Sequence, residues 1–194
     1  MKNYTIAEQF AVIALNAQDS LHESVAKNVA LVGIAAAKTV QTLLYEENRD
    51  AAVFELKLRE QLDGIKKMKR KERNALEKEF TDILKAERIL KEIPNLLGCD
   101  MNYYTANVTM REYKSDSALY QSIIKKIRTC ALEQTELPED IVILLWLFRE
   151  SGCMHDIFSQ EEQEKVRIKL VQAAEEKSLY KAILEQEFHS AVWL

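Results

Sequence analysis

A chain of 194 residues, 47% apolar and 30% charged, is long enough to close one sizeable hydrophobic core. Its formal net charge of −4 argues against a general nucleic-acid binder, so no nucleic acid is expected as a partner. Four glycines and two prolines are too few for a fold dominated by strands and loops, which points to a mainly α architecture.

Thr5-Ile6-Ala7-Glu8 reads as a capping box, in which the hydroxyl accepts from a free N–H of the first turn and the carboxylate reaches back. Ile6, Phe10, Ile13 and Ala17 continue at helical spacing. After a polar break at 16–23, a longer stripe follows: Val25, Val29, Val32, Ala36, Val40 and Leu43. Ala30, Gly33, Ala35, Ala36 and Ala37 on this segment would let a neighbouring helix come close. Phe54, Leu58, Leu62 and Ile65 mark a third helix, which Gly64 weakens by about 1 kcal/mol. A fourth carries Leu76, Phe80, Ile83, Leu84 and Leu90 and stops before Pro94. Periodicity leaves open whether the third and fourth helices are one.

The pattern changes at 95–115. Positions 96–104 and 107–113 are rich in residues that suit a pleated surface, with Thr105-Ala106 between them, and predict one β-hairpin. Leu119, Ile123, Ile127 and Ala131 return to helical spacing. Leu137-Pro138-Glu139-Asp140 sets proline at a first helical position, with acids beside the positive end of the dipole. The apolar run 141–148 leaves no polar face, so this helix is predicted to be buried on all sides, with Gly152 as its stop. Ser159 and Glu162 form a second capping box, and acids at 161, 162 and 164 precede bases at 165, 167 and 169. A last helix carries Tyr180, Leu184, Phe188, Ala191 and Val192. The expectation is one domain over 1–194: a single-domain helical bundle around a buried central helix, mainly α, with one β-hairpin.

Candidate chemistry is sparse. His22, His155 and His189 are far apart, and Cys99, Cys130 and Cys153 lack ligand spacing, so neither a metal nor a cofactor is expected. Cys153 and His155 resemble a nucleophile and base but lack a third member. No phosphate-cradling glycine loop or nucleophile elbow is present, and a non-enzymatic protein is expected. Isolated, odd cysteines suit a reducing, cytoplasmic setting. The longest apolar runs, 29–37 and 141–148, fall short of the roughly 20 residues a membrane span needs, so any membrane contact is expected to be peripheral.

One cluster rises above this background. Lys66-Lys67-Met68-Lys69-Arg70-Lys71-Glu72-Arg73 packs six cations into eight positions of an acidic chain. On one helix Lys66, Arg70 and Arg73 would share a face, and Lys69 would neighbour Arg73, a strip suited to clamping phosphate. The simpler alternative is a solvated run balanced by Glu72, Glu77 and Glu79. Lys125, Lys126 and Arg128 read as the polar side of their helix. A helix and wing over 80–110 would suit a winged-helix DNA binder, but the net acidity and the absence of a closely preceding helix weigh against it.

Three segments carry a family resemblance. They are 4–15 with the small-residue helix ending at Leu43-Leu44, the predicted hairpin with 117–127, and 143–158, a buried helix with a small-residue stop and a following aromatic. In the order of these elements the chain resembles the Golgi phosphoprotein 3 (GPP34) family, in a divergent bacterial-type form. That resemblance implies a helical domain that binds phosphatidylinositol 4-phosphate and docks peripherally, some relatives oligomerising through the hairpin or binding cytosolic tails of glycosyltransferases. The family's pocket uses an early tryptophan and arginine, near whose positions Leu21 and Ala30 stand here, and two arginines three residues apart. Arg70 and Arg73 have that spacing and come into register with about one extra helical turn. The implied head-group site is Lys66, Lys69, Arg70 and Arg73; the implied oligomerisation hairpin presents Met101, Tyr103, Tyr104, Val108 and Met110. The expected partner is an anionic phospholipid or phosphoinositide membrane surface, with a homo-oligomer as a further possibility. The alternative is a helical protein-interaction or oligomerisation module that has lost the lipid pocket.

Overall fold

The computed structural model describes residues 4–16, 23–46, 50–93 and 112–188. In chain order the elements are α1 (Ile6–Ala14), α2 (Glu23–Leu44), α3 (Ala51–Lys66), α4 (Arg70–Ala86), β1 (Leu90–Ile93), β2 (Glu112–Ser115), α5 (Ser117–Glu133), α6 (Glu139–Ser151), α7 (Met154–Ile157), α8 (Gln160–Glu176) and α9 (Ser178–Leu184). The fold is mainly α, with one two-stranded antiparallel sheet among the described residues.

Both capping boxes form. Thr5 Oγ1 accepts from the Glu8 N–H at 3.1 Å while the Thr5 N–H donates to Glu8 Oε2 at 2.7 Å. Ser159 and Glu162 repeat the exchange at the start of α8. Asp50 starts α3 by accepting from the Ala52 and Val53 N–H groups, both at 3.0 Å. Each device satisfies backbone donors that a helix start leaves unpaired.

Every residue at 141–148 is 0% exposed, so α6 is the centre of the bundle. Helices α1, α2, α5, α7 and α9 pack around it. Pro138 stands one place earlier than expected: its ψ of 149° is extended, making it the N-cap whose carbonyl starts the helix. Gly152 ends α6 at φ 75°, and the next N–H returns to the Phe148 carbonyl at 2.9 Å. The small residues of α2 do admit a close neighbour. A Cβ added at Gly33 would lie 2.5 Å from Phe10 Cε1 and Cζ, and the Phe10 ring leans on Phe148 with centroids 5.4 Å apart.

One boundary left open is settled and two predicted ones need correction. First, α3 and α4, whose continuity periodicity left open, are separate helices with the break at 67–69. The Lys67 and Met68 N–H groups tighten the last turn of α3 by donating three residues back, and the Glu72 carboxylate accepts from the Lys69 N–H at 2.6 Å. Second, α4 stops at Ala86 and Leu90 begins a strand. Arg88 takes the left-handed conformation at φ 61°, and the Ile89 N–H closes back to the Leu84 carbonyl at 2.9 Å, which ends the helix as a glycine normally would. Third, the last helix, α9, ends at Leu184 rather than running on through Phe188. Phe188 lies beyond it, fully buried and edge-on to Trp146 at 5.2 Å. The buried indole N–H donates to the Gln186 carbonyl at 2.8 Å, an acceptor that a continuing helix would have occupied. Ala191 and Val192 lie outside the described residues.

Strands β1 and β2 run from Leu90↔Ser115 to Ile93↔Glu112. They flank the predicted hairpin, of which only 112 and 113 fall in a described strand. Ser115 fastens the ladder to the end of α1, its N–H donating to Asn16 Oδ1 at 2.9 Å and its hydroxyl to the Val12 carbonyl at 2.6 Å.

Candidate functional site

The basic run occupies the corner between α3 and α4, and that placement sorts its members. Lys66 closes α3, where a cation suits the negative helix end, and its Nζ lies 3.3 Å from Asp63 Oδ1. Arg73 straps the corner, donating from Nη1 to the Met68 carbonyl at 3.0 Å. Lys67, Lys69, Arg70 and Lys71 are exposed, with no ion pair among the described residues. The break therefore undoes the expected strip: Lys66 belongs to one helix, while Arg70 and Arg73 belong to the next. Of the four predicted site residues, Lys69 and Arg70 remain available, and Lys67 and Lys71 join them. Both were in the run; only the assumption of one continuous helix left them out.

The acids expected to balance this run are engaged elsewhere. Glu79 pairs with Lys38 at 2.9 Å. Glu77 is buried, accepting from the Tyr113 hydroxyl at 2.8 Å and lying 3.3 Å from Lys27 Nζ. Burial raises the Tyr113 phenol far above its ordinary pKa, and the bond to Glu77 adds to the shift, so it stays a donor at any ordinary pH. Thr81 is also fully buried beside this pair, near the phenol but outside hydrogen-bond geometry. Only Glu72 serves the corner, and it holds a backbone N–H rather than a side chain. Arg70 and Lys71 sit in the first turn of α4, at the positive end of its dipole. A cation there is disfavoured, by about 0.3–1 kcal/mol on the usual scale of dipole interactions. Helix stability does not explain these two charges.

In the second basic group, Lys126 and Arg128 are structural. Lys126 pairs with Asp140 at 2.7 Å. Arg128 forks onto both oxygens of Glu162 at 2.9 and 2.6 Å and donates to the Ile157 carbonyl at 2.6 Å, joining α5 to the turn between α7 and α8. That fork, with the Ser159 N–H, holds the Glu162 carboxyl down at about 2 from an ordinary 4.5. A depressed carboxylate stabilises the fold above its unfolded pKa and loses that contribution as the pH falls. Glu162→Gln is therefore expected to be less stable than the parent at neutral pH. The difference should shrink from about pH 4.5 and vanish near pH 2, as read by urea unfolding at a series of pH values. A difference independent of pH would reject this role for the ion pair.

Cys153 and His155 do not form an activated pair. Burial pushes the Cys153 thiol up, the opposite of what a nucleophilic thiolate needs. His155 is mostly exposed and pairs with the neighbouring Asp156 at 3.1 Å. Among the described residues no cluster could hold a metal ion, and no helix is long and apolar enough to cross a membrane. Met101, Tyr103, Tyr104, Val108 and Met110 lie outside the described residues, as does Leu21. Ala30, the position set against a pocket arginine, is 2% exposed in the core.

An open groove of about 810 Å³ bordered by the consecutive elements α6, α7, α8 and α9 carries no sequence signal, because it depends on the angles at which these helices pack. No protein-family model, no curated protein and no solved structure matches the chain.

Proposed function

We propose that this chain is a divergent member of the Golgi phosphoprotein 3 family that acts without catalysis, contacting anionic phospholipid head groups through Lys67, Lys69, Arg70 and Lys71. The observation that carries the proposal is the set of unneutralised cations at the α3–α4 corner, two of them placed against the dipole of their own helix. An anionic surface would supply the counter-charge that the fold withholds.

At about 1 kcal/mol per basic residue near an anionic leaflet, four such residues give roughly 4 kcal/mol, a weak and salt-screened attachment. The burial of Ala30 argues for recognition of surface charge rather than of one head group. Vesicles of phosphatidylcholine, with and without phosphatidylserine, provide the test. The chain should pellet with the anionic vesicles only, release at high salt, and lose binding in the Arg70→Glu, Lys71→Glu double variant. Equal pelleting with both vesicle types, or an unaffected double variant, would remove the proposal. A stable oligomer indifferent to vesicles would favour the interaction-module alternative.

A further inference from the structure

We infer that the groove bordered by α6, α7, α8 and α9 is a second site, independent of the basic corner, which takes a neutral, hydrophobic small molecule. Met154, Leu170, Val171, Ala174 and Leu184 supply its apolar lining. The α8 lining residues Gln160, Gln163, Arg167, Val171 and Ala174 recur at helical spacing, so one face of α8 forms a continuous wall. Leu170 is 6% exposed, but Val171 on the same wall is 48% exposed, an apolar side chain presented to the opening. A volume of about 810 Å³ falls within the roughly 300–1,000 Å³ range typical of small-molecule sites.

The rim decides what chemistry fits. Three cations line it, and each already has a carboxylate. Arg167 is forked onto Glu164 at 2.6 and 2.9 Å. Arg149 lies 3.0 Å from Glu150 and donates to the Leu184 carbonyl at 2.7 Å. Lys181 stands 3.8 Å from Glu185. Glu175 adds a carboxylate with no ion pair among the described residues. An anionic ligand would have to displace one of these carboxylates and then approach Glu175. A neutral apolar molecule covers the apolar lining and disturbs no pair. The groove is thus matched against the kind of ligand that the basic corner attracts.

Fluorescence titration of the full chain with neutral N-phenylnaphthylamine, and with anionic anilinonaphthalene sulfonate, tests the assignment. Val171→Glu is the groove variant, since an exposed side chain can be changed without emptying the core; Ile83→Glu on α4, at 48% exposure, is its control. Circular dichroism establishes that both remain folded. The neutral probe should bind saturably at one site and lose about tenfold in affinity in Val171→Glu, a loss of about 1.4 kcal/mol. It should be unchanged in Ile83→Glu, and the sulfonate should bind more weakly than the neutral probe. Non-saturable binding, equal affinity for the two probes, or equal losses in the two variants would overturn the inference. So would a dimer in light scattering that Val171→Glu dissolves, because the groove would then be covered by a second copy.

Discussion

A Gly33→Val variant is expected to lose about 3 kcal/mol of stability, whereas Gly64→Ala should gain up to about 1 kcal/mol. Both glycines lie inside helices, where glycine costs about 1 kcal/mol relative to alanine. Their surroundings differ. Around Gly64 a Cβ meets nothing within 4 Å, so alanine simply recovers helix propensity. At Gly33 the same atom would come within 2.5 Å of the Phe10 ring. That ring is 0% exposed and backed by Phe148, so relief requires α1 to move off α2. Gly33→Ala should fall between the extremes. Combining Gly33→Val with Phe10→Leu should recover part of the loss, because residues in contact are not additive. Urea unfolding followed through the buried Trp146 measures all four variants. A Gly33→Val variant as stable as the parent would show that the helices are not held at this spacing.

An effect at least as large is expected at Glu77. Its carboxylate is the shared partner of the Tyr113 hydroxyl and the Lys27 ammonium, and its side chain is only 9% exposed. Glu77→Ala removes one member of a buried ion pair and strips the phenol of its acceptor, a change that typically costs about 3–5 kcal/mol. Tyr113→Phe removes a single hydrogen bond to a charged group and should cost about 1.5–3 kcal/mol. Together the two changes should cost less than their sum, since the alanine variant has already broken the bond that phenylalanine would remove. The comparison is again by urea unfolding. A Glu77→Ala loss no larger than that of Tyr113→Phe would mean that the carboxylate contributes nothing beyond its bond to the phenol.

The parts legible in the sequence were those fixed by local chemistry. Two Ser/Thr-x-x-Glu boxes, the unbroken apolar run of α6 and the stop at Gly152 follow from backbone donors, apolar periodicity and positive φ. The parts that were not legible depend on neighbours. Lys69 carries no side-chain acceptor, so nothing about it advertises a helix start, and the charge run over the α3–α4 corner reads as one polar helix face. Arg88 ends α4 in a conformation that sequence reserves for glycine or asparagine, which kept Leu90 in a helical stripe it does not join. Arg128 looked like a solvated charge because its acceptors, Ile157 and Glu162, are some thirty residues away in the chain. Glu77 looked like a counter-charge to the basic run and is instead an interior acceptor. At the candidate site, the cations could be read from the sequence; which of them stay free depended on the break.

The pairing of Ile93 with Glu112 sets the chain's departure point and its return point side by side. Whatever is inserted there meets the bundle at a two-strand port, already fastened through Ser115 to α1 and through Tyr113 to α4. The entropy of joining two adjacent points grows only as the logarithm of the intervening length. That port can accept segments of different length and sequence with little effect on the helices.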